Sequence, residues 1–298
     1  MRLQRNVHRR NTLPRRSQLR VERLEDRRLL AVLTVNSTAD TVDPGDGILT
    51  LREAILEANA NPNGATPDEI HFNIPTTDPG YDAGTGAYSI RPSSSLPDIN
   101  DPILIDGWTQ PGWANRPIIE LDGTNVDTDP IGIYLHPNAS DSTLRGLVVN
   151  RFAGYQILSQ APRFTIQGNY LGTDVSGMAA ASSTAGIGFG ANTWDANVGT
   201  IGTNGDGIDD ELEGNLISGN SIGVSLVYSD DVVIAGNLIG TNAAGTSMVP
   251  NRVDGIRAWD GTNGIRIGTN GDGPRMTRSE MSSREMAPEE SICPKLPE

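Results

Sequence analysis

Cysteine is nearly absent. Cys293 stands alone among 298 residues, so no disulfide can close within the chain and cysteine usage does not indicate a compartment. Aromatic residues make up only 5% against 36% apolar residues in all, which suits thin stacked coils better than one broad globular core. No apolar run approaches the ~18 residues that a membrane-spanning helix requires. Histidine is limited to His8, His71 and His136, and Lys295 is the sole lysine. Positive charge is concentrated at one end: residues 1–28 hold ten Arg against Glu22, Glu25 and Asp26, so within the overall net charge of −14 a leader of +7 precedes a remainder of −21. So acidic a body repels phosphate backbones and anionic lipid, which argues against nucleic acid as its partner and favours cations.

What the chain has in quantity is repetition. Ile234, Gly236, Asn237, Ile239, Gly240, Thr241 and Gly245 lie 68 positions after Ile166, Gly168, Asn169, Leu171, Gly172, Thr173 and Gly177. The block IGTNGDG occurs at Ile201–Gly207 and again at Ile267–Gly273. Fixed-period self-similarity means stacked units, each burying its apolar face on its neighbours. Within a unit, short β-branched runs such as Val224–Val227 and Val232–Ile234 alternate with Gly, Asn and Ser-Asp pairs, leaving no room for a helical turn. Asn169 and Asn237 tolerate turn geometry, and identical amides in successive coils are expected to bond as a ladder. A period near 67 divides into three coils of roughly 22 residues. The predicted fold is all-β, a parallel β-helix with a short capping α-helix at its N-terminal end.

Four regions follow. Residues 1–31 read as a basic arm without regular structure. Residues 32–100 form the N-terminal cap region, with a helix over 50–60 and a Pro-, Gly- and Ser-rich loop over 76–98. Thr50-Leu51-Arg52-Glu53 fits a capping box, and Leu51, Ala54, Ile55 and Ala58 recur at helical spacing. That apolar stripe must pack on something, and the open end of a solenoid is the available surface. Residues 101–273 carry the repeats. In residues 274–298 the repetition stops, and the single codon of Met276, Met281 and Met286 is compatible with a neighbouring frame that restores it. The expectation is a frameshifted, disordered tail on a fragment of a longer protein.

Two stretches carry a family likeness. Leu24-Glu25-Asp26-Arg27-Arg28-Leu29-Leu30-Ala31 resembles the LEPR-XLL leader of bacterial cell-surface and secreted proteins, with Asp26 in place of the usual Pro. Gly47–Asn59 resembles the CSLREA motif of bacterial surface proteins built on right-handed parallel β-helices, with Leu49-Thr50 in place of Cys-Ser. The likeness continues through Ile70–Pro75, Leu96–Ile99, Ile103–Gly107, Thr109–Gly112 and Pro117–Gly123. It implies export to the cell surface or beyond, and use as an adhesive or structural module.

Chemistry is sparse. Asp209-Asp210 and Asp230-Asp231 supply paired carboxylates of the kind a glycosidase uses, but only His136 lies among the coils and Lys295 sits in the tail, so no catalytic residues are assigned. Arg257 or Arg266 could serve a lyase, without a motif behind either. Asn204–Glu211 gathers hard oxygen ligands around a glycine turn, and Asp206, Asp209, Asp210 and Glu211 are the candidate calcium ligands; the competing reading is an acidic surface loop. The expected function is a non-catalytic structural or adhesive module that binds extracellular polysaccharide or another cell-surface protein. The alternative is a glycan-active β-helix enzyme. A lateral face gathering three carboxylates, or carboxylates with Arg, favours the enzyme, and an Asn, Ser and Thr ladder favours the module.

Overall fold

A computed structural model describes residues 31–64, 66–127, 131–181, 185–190, 198–259 and 261–268. The tail over 274–298, and the leader up to residue 30, lie outside the described residues.

The chain opens with β1 (Val32–Val35), α1 (Leu51–Ala60) and β2 (Asp68–Phe72). A hairpin of β3 (Tyr81–Asp82) and β4 (Ala87–Ile90) comes next, then β5 (Ile103–Asp106), β6 (Ile119–Asp122) and β7 (Ile133–Leu135). Successive coils then run β8 (Thr143–Arg145), β9 (Leu147–Asn150) and β10 (Tyr155–Ser159); β11 (Phe164–Gln167), β12 (Tyr170–Leu171) and β13 (Ala185–Gly190); β14 (Gly199–Gly202), α2 (Asp210–Glu213), β15 (Leu216–Ile217) and β16 (Ile222–Val227). The last described coil holds β17 (Val232–Ala235), β18 (Leu238–Ile239) and β19 (Asp254–Ala258), and β20 (Arg266–Ile267) starts another. Three sheets result, ordered β1-β2-β5-β8-β11-β14-β17-β20, β7-β10-β13-β16-β19 and β3-β4-β6-β9-β12-β15-β18. Every pairing except β3 with β4 is parallel. The fold is a parallel β-helix, in which each strand from β5 onward reaches its next partner by way of the other two sheets.

Inward side chains stack in register. On the eight-stranded sheet Leu33, Ile70, Ile105, Leu144, Ile166, Ile201 and Ile234 pair one above the next, and all are buried. Identical β-branched or γ-branched chains at one register position fill the coil without voids, which is what a solenoid core requires. The last described member of the row is Ile267, paired with Ile234 and 55% exposed.

The register corrects the coil length. Thr165 pairs with Thr200 and Thr200 with Val233, offsets of 35 and 33 that together make the 68-residue repeat. The period therefore spans two coils, not three of 22. On the eight-stranded sheet only the step from Thr143 to Thr165 has the compact length. The longer coils carry excursions of alternating kind. One carries a hairpin closed by Thr173 and Ala180, the next the segment Thr203–Glu213, and the third a hairpin closed by Thr241 and Met248. The loop predicted over 76–98 is also corrected, because β3 and β4 form inside it and β4 joins β6.

The helix forms as expected. Thr50 caps it through a complete capping box with Glu53, and Leu51, Ala54, Ile55 and Ala58 are buried in one cluster with Leu33, Val35 and Ile70. It packs on β1 and β2, over the first coil.

Candidate functional site

The outer face of the eight-stranded sheet carries two rows of side chains. Glu69, Leu104, Thr143, Thr165 and Thr200 form the first, each paired with the next. His71, Asp106, Arg145 and Gln167 form the second. Both follow from a frame that repeats in sequence: Thr143-Leu144-Arg145-Gly146 and Thr165-Ile166-Gln167-Gly168 place a buried aliphatic between two outward side chains and end in a turn glycine. Alternation puts the first and third residues of each frame on the outside.

Trp108 rises beside these rows. Asp106 holds it by accepting its backbone N–H at 3.0 Å, and the same carboxylate binds Arg145 Nη2 at 2.7 Å. The Arg145 guanidinium lies over the Trp108 ring, 4.5 Å from its centroid, a cation–π contact that fixes both groups. Trp113 packs against Trp108 at 5.5 Å between centroids. Gly168 makes this arrangement possible, since a Cβ there would lie 2.9 Å from the Trp108 ring and 2.6 Å from the Leu212 carbonyl oxygen.

Across the rows stands the excursion Thr203–Glu213, whose polar groups mostly bond to one another. Asp206 Oδ1 accepts the Ile208 N–H at 2.8 Å, and Asp206 Oδ2 accepts from Asn204 Nδ2 at 3.1 Å. Asp210 accepts from the Thr203 hydroxyl and the Gly207 N–H. Asp209 is exposed, takes a left-handed conformation with φ 57°, and makes no side-chain capping bond to α2. Glu213 is 6% exposed and accepts the Asn204 N–H at 2.9 Å. Burial pushes its carboxyl above the usual range against the pull of that bond, and Asp210 and Asp206 add to the rise.

Floor, wall and excursion enclose a lateral groove of about 530 Å³. Its floor is Leu104, Thr143, Thr165 and Gln167, its wall is Trp108 with Arg145, and Glu69, Asp141, Asp206, Asp209 and Glu213 bring carboxylates to it. A smaller pocket of about 170 Å³ lies on the other side of Trp108, lined by Trp113, Tyr170, Arg116 and Glu211 among others.

The four proposed calcium ligands separate. Asp206 and Asp209 line the groove, Glu211 lines the smaller pocket, and Asp210 closes its own loop. Among the described residues no three His, Cys, Asp or Glu side chains gather as metal ligands. Asp230 accepts two bonds from Asn263 in the next coil, so the second acidic doublet serves as a clamp between coils. His136 bonds the Asn138 N–H and packs edge-on to Tyr134, on a different sheet from the groove. Arg257 is held by Asp254 and Trp259. Trp108, Arg145 and Glu213 were not singled out from the sequence. The shared Thr-x-x-Gly frame was the signal available for the floor, but nothing in it marks the wall.

This face carries both a Thr row and carboxylates with an Arg. A family model described as "Periplasmic copper-binding protein (NosD)" matches residues 103–270, just over half of the chain and the stretch that supplies most of this groove. No curated protein matches the chain.

Proposed function

The chain belongs to the periplasmic NosD family, and we propose that it is an exported, non-catalytic binding module whose lateral groove holds an extended polysaccharide. The groove itself carries this reading. Its floor repeats a threonine on two consecutive coils, Thr143 and Thr165, about 4.8 Å apart. A polymer lying across the coils would meet the same donor and acceptor at each step. Arg145 and Trp108 supply a planar cation and an aromatic edge at one side, and the Asn204–Glu213 excursion bounds the other. Among the described residues no helix is long and apolar enough to cross a membrane.

The family's description names copper, which prefers imidazole, thiolate or thioether ligands. His71 is bonded to Glu69 on the eight-stranded sheet, and His136 directly follows β7 of the five-stranded one. Met178 and Met248 sit on separate hairpins, 54% and 83% exposed. The described coils do not fit a copper site, so copper has no part in this reading.

A hydrolytic reading has one observation in its favour. Glu213 is a buried carboxyl with a raised pKa on the groove, the state in which a general acid works. Of the other carboxylates on the groove, Asp206 is bonded within its loop and Asp141 to Arg163, so Asp209 is the residue this reading would need as base or nucleophile.

The purified protein should be tested for retention on a panel of insoluble and soluble polysaccharides, with product analysis of each. Retention without new chain ends is expected. New reducing ends would make it a hydrolase, and retention on none of the glycans would remove the reading.

A further inference from the structure

The charge around the groove is uneven in a way that its ligand must answer. Among the described residues that line it, five carry carboxylates and Arg145 is the one lysine or arginine. Arg145 is already paired with Asp106 at 2.7 Å. Asp141 is offset by Arg163 at 2.8 Å, and Glu69 is bonded to His71 at 2.7 Å. Asp206, Asp209 and Glu213 remain, all on one short excursion with Asp210 between them. Asp206 and Glu213 bond neutral donors of the same loop, and Asp209 has no capping bond. No ion pair joins these three to a cation among the described residues.

We infer that the groove selects a polysaccharide bearing protonated amino groups over one bearing carboxylates. The inference rests on the polysaccharide reading above and deepens it. A uronate polymer brings a negative charge with every sugar, and each would face the Asp206–Glu213 edge without a counter-ion. A neutral polymer gains the hydroxyl contacts of Thr143 and Thr165 and nothing from that edge. A glucosamine polymer gains both, because an ammonium beside Asp209 and Glu213 places a donor and a positive charge where the protein offers only acceptors. The upward displacement of the Glu213 carboxyl, from burial and then from its acidic neighbours, agrees with a local excess of negative charge that a bound cation would relieve.

Calorimetric titration of the full chain with three oligomers of equal length tests this: glucosamine, N-acetylglucosamine and galacturonate hexamers, at low and at physiological salt. The glucosamine oligomer should bind about tenfold tighter than its acetylated counterpart at low salt, with the ratio shrinking as salt screens the edge. Galacturonate should bind weakest. Asp209→Asn keeps a residue that tolerates the left-handed backbone, and it should reduce the glucosamine preference about threefold. Equal affinity for the amine and its acetylated form, or tightest binding of galacturonate, would overturn the inference and leave the groove reading standing. A preference that survives Asp209→Asn combined with Asp206→Asn would also overturn it. Failure of all three oligomers to bind would overturn both.

Discussion

The side-chain amide of Asn169 donates to Oδ1 of Asn215 at 3.1 Å, and Asn215 repeats the bond to Asn237 at 2.9 Å. Each Oδ1 also accepts a backbone N–H from the coil before, and each amide reaches a carbonyl there: Leu144, Ile166 and Ile201 in turn. All three side chains are buried. The ladder satisfies backbone groups at a corner where no strand can, and so it holds the coils in register.

Asn215→Ala therefore leaves the Asn169 N–H and the Ile166 carbonyl without these partners inside the core. The expected cost is about 3–5 kcal/mol. Hydrogen exchange should show the loss first at the Asn169 amide, and unchanged protection there would mean that the ladder is incidental.

The cap can be tested at Ile55, 1% exposed in the cluster beneath α1. Ile55→Asp puts a charge into an apolar contact and should cost several kcal/mol, lowering the melting temperature and exposing β1 and β2 to proteolysis. A melting temperature equal to that of the parent would remove the cap assignment.

Acid should loosen the same end. The Thr50 N–H holds the Glu53 carboxyl below its usual value against the opposing effect of burial, with the Asp43 N–H and the Thr50 hydroxyl helping. For Asp78 burial acts upward, but bonds from Thr38, Gly80 and Ser37 outweigh it. Both groups bind protons less tightly when folded than when unfolded. Their stabilisation is thus present above the ordinary carboxylate range near pH 4 and lost as pH falls through the lower folded values. Glu53→Gln should flatten the acid limb of a stability-versus-pH curve; an unaltered limb would assign acid sensitivity elsewhere.

Gly168→Ala should disturb the groove wall. The residue has φ +60°, and the new Cβ would crowd both Trp108 and the Leu212 carbonyl. The backbone strain alone costs about 1 kcal/mol. Displacement of Trp108 and of the Thr203–Glu213 excursion should add to it. Gly240→Ala, at φ +78° with no neighbour within 4 Å, isolates the backbone share. Equal destabilisation by the two substitutions would show that the close approach is unimportant.

Calcium should have little effect. Asp206 and Asp210 spend oxygens on their own loop, and Glu211 lines a different pocket. The melting temperature is expected to be indifferent to millimolar calcium and to chelator. A rise with the logarithm of free calcium would reinstate Asp206, Asp209, Asp210 and Glu211 as ligands.

The sequence by itself determined the class of fold, the presence of the cap and the corners. Alternating β-branched runs with Gly and Asn at fixed spacing leave few options other than a stacked parallel solenoid, and the capping box at Thr50 and Glu53 is a local device readable from four residues. It did not determine the coil length, because a repeat period counts residues and not turns. A hairpin from Thr173 to Ala180 and an excursion from Thr203 to Glu213 lengthen alternate coils, so two coils fill the span that three plain ones would occupy. It also did not reveal the groove. Trp108, Arg145 and Glu213 lie far apart in the chain and carry no shared motif. They meet only because parallel stacking brings residues 39 apart, such as Asp106 and Arg145, into adjacent register, and because a loop from a later coil folds back over Trp108. Contacts made across coils depend on the length of every intervening loop, and that length acquires a geometric meaning only once the strands have paired.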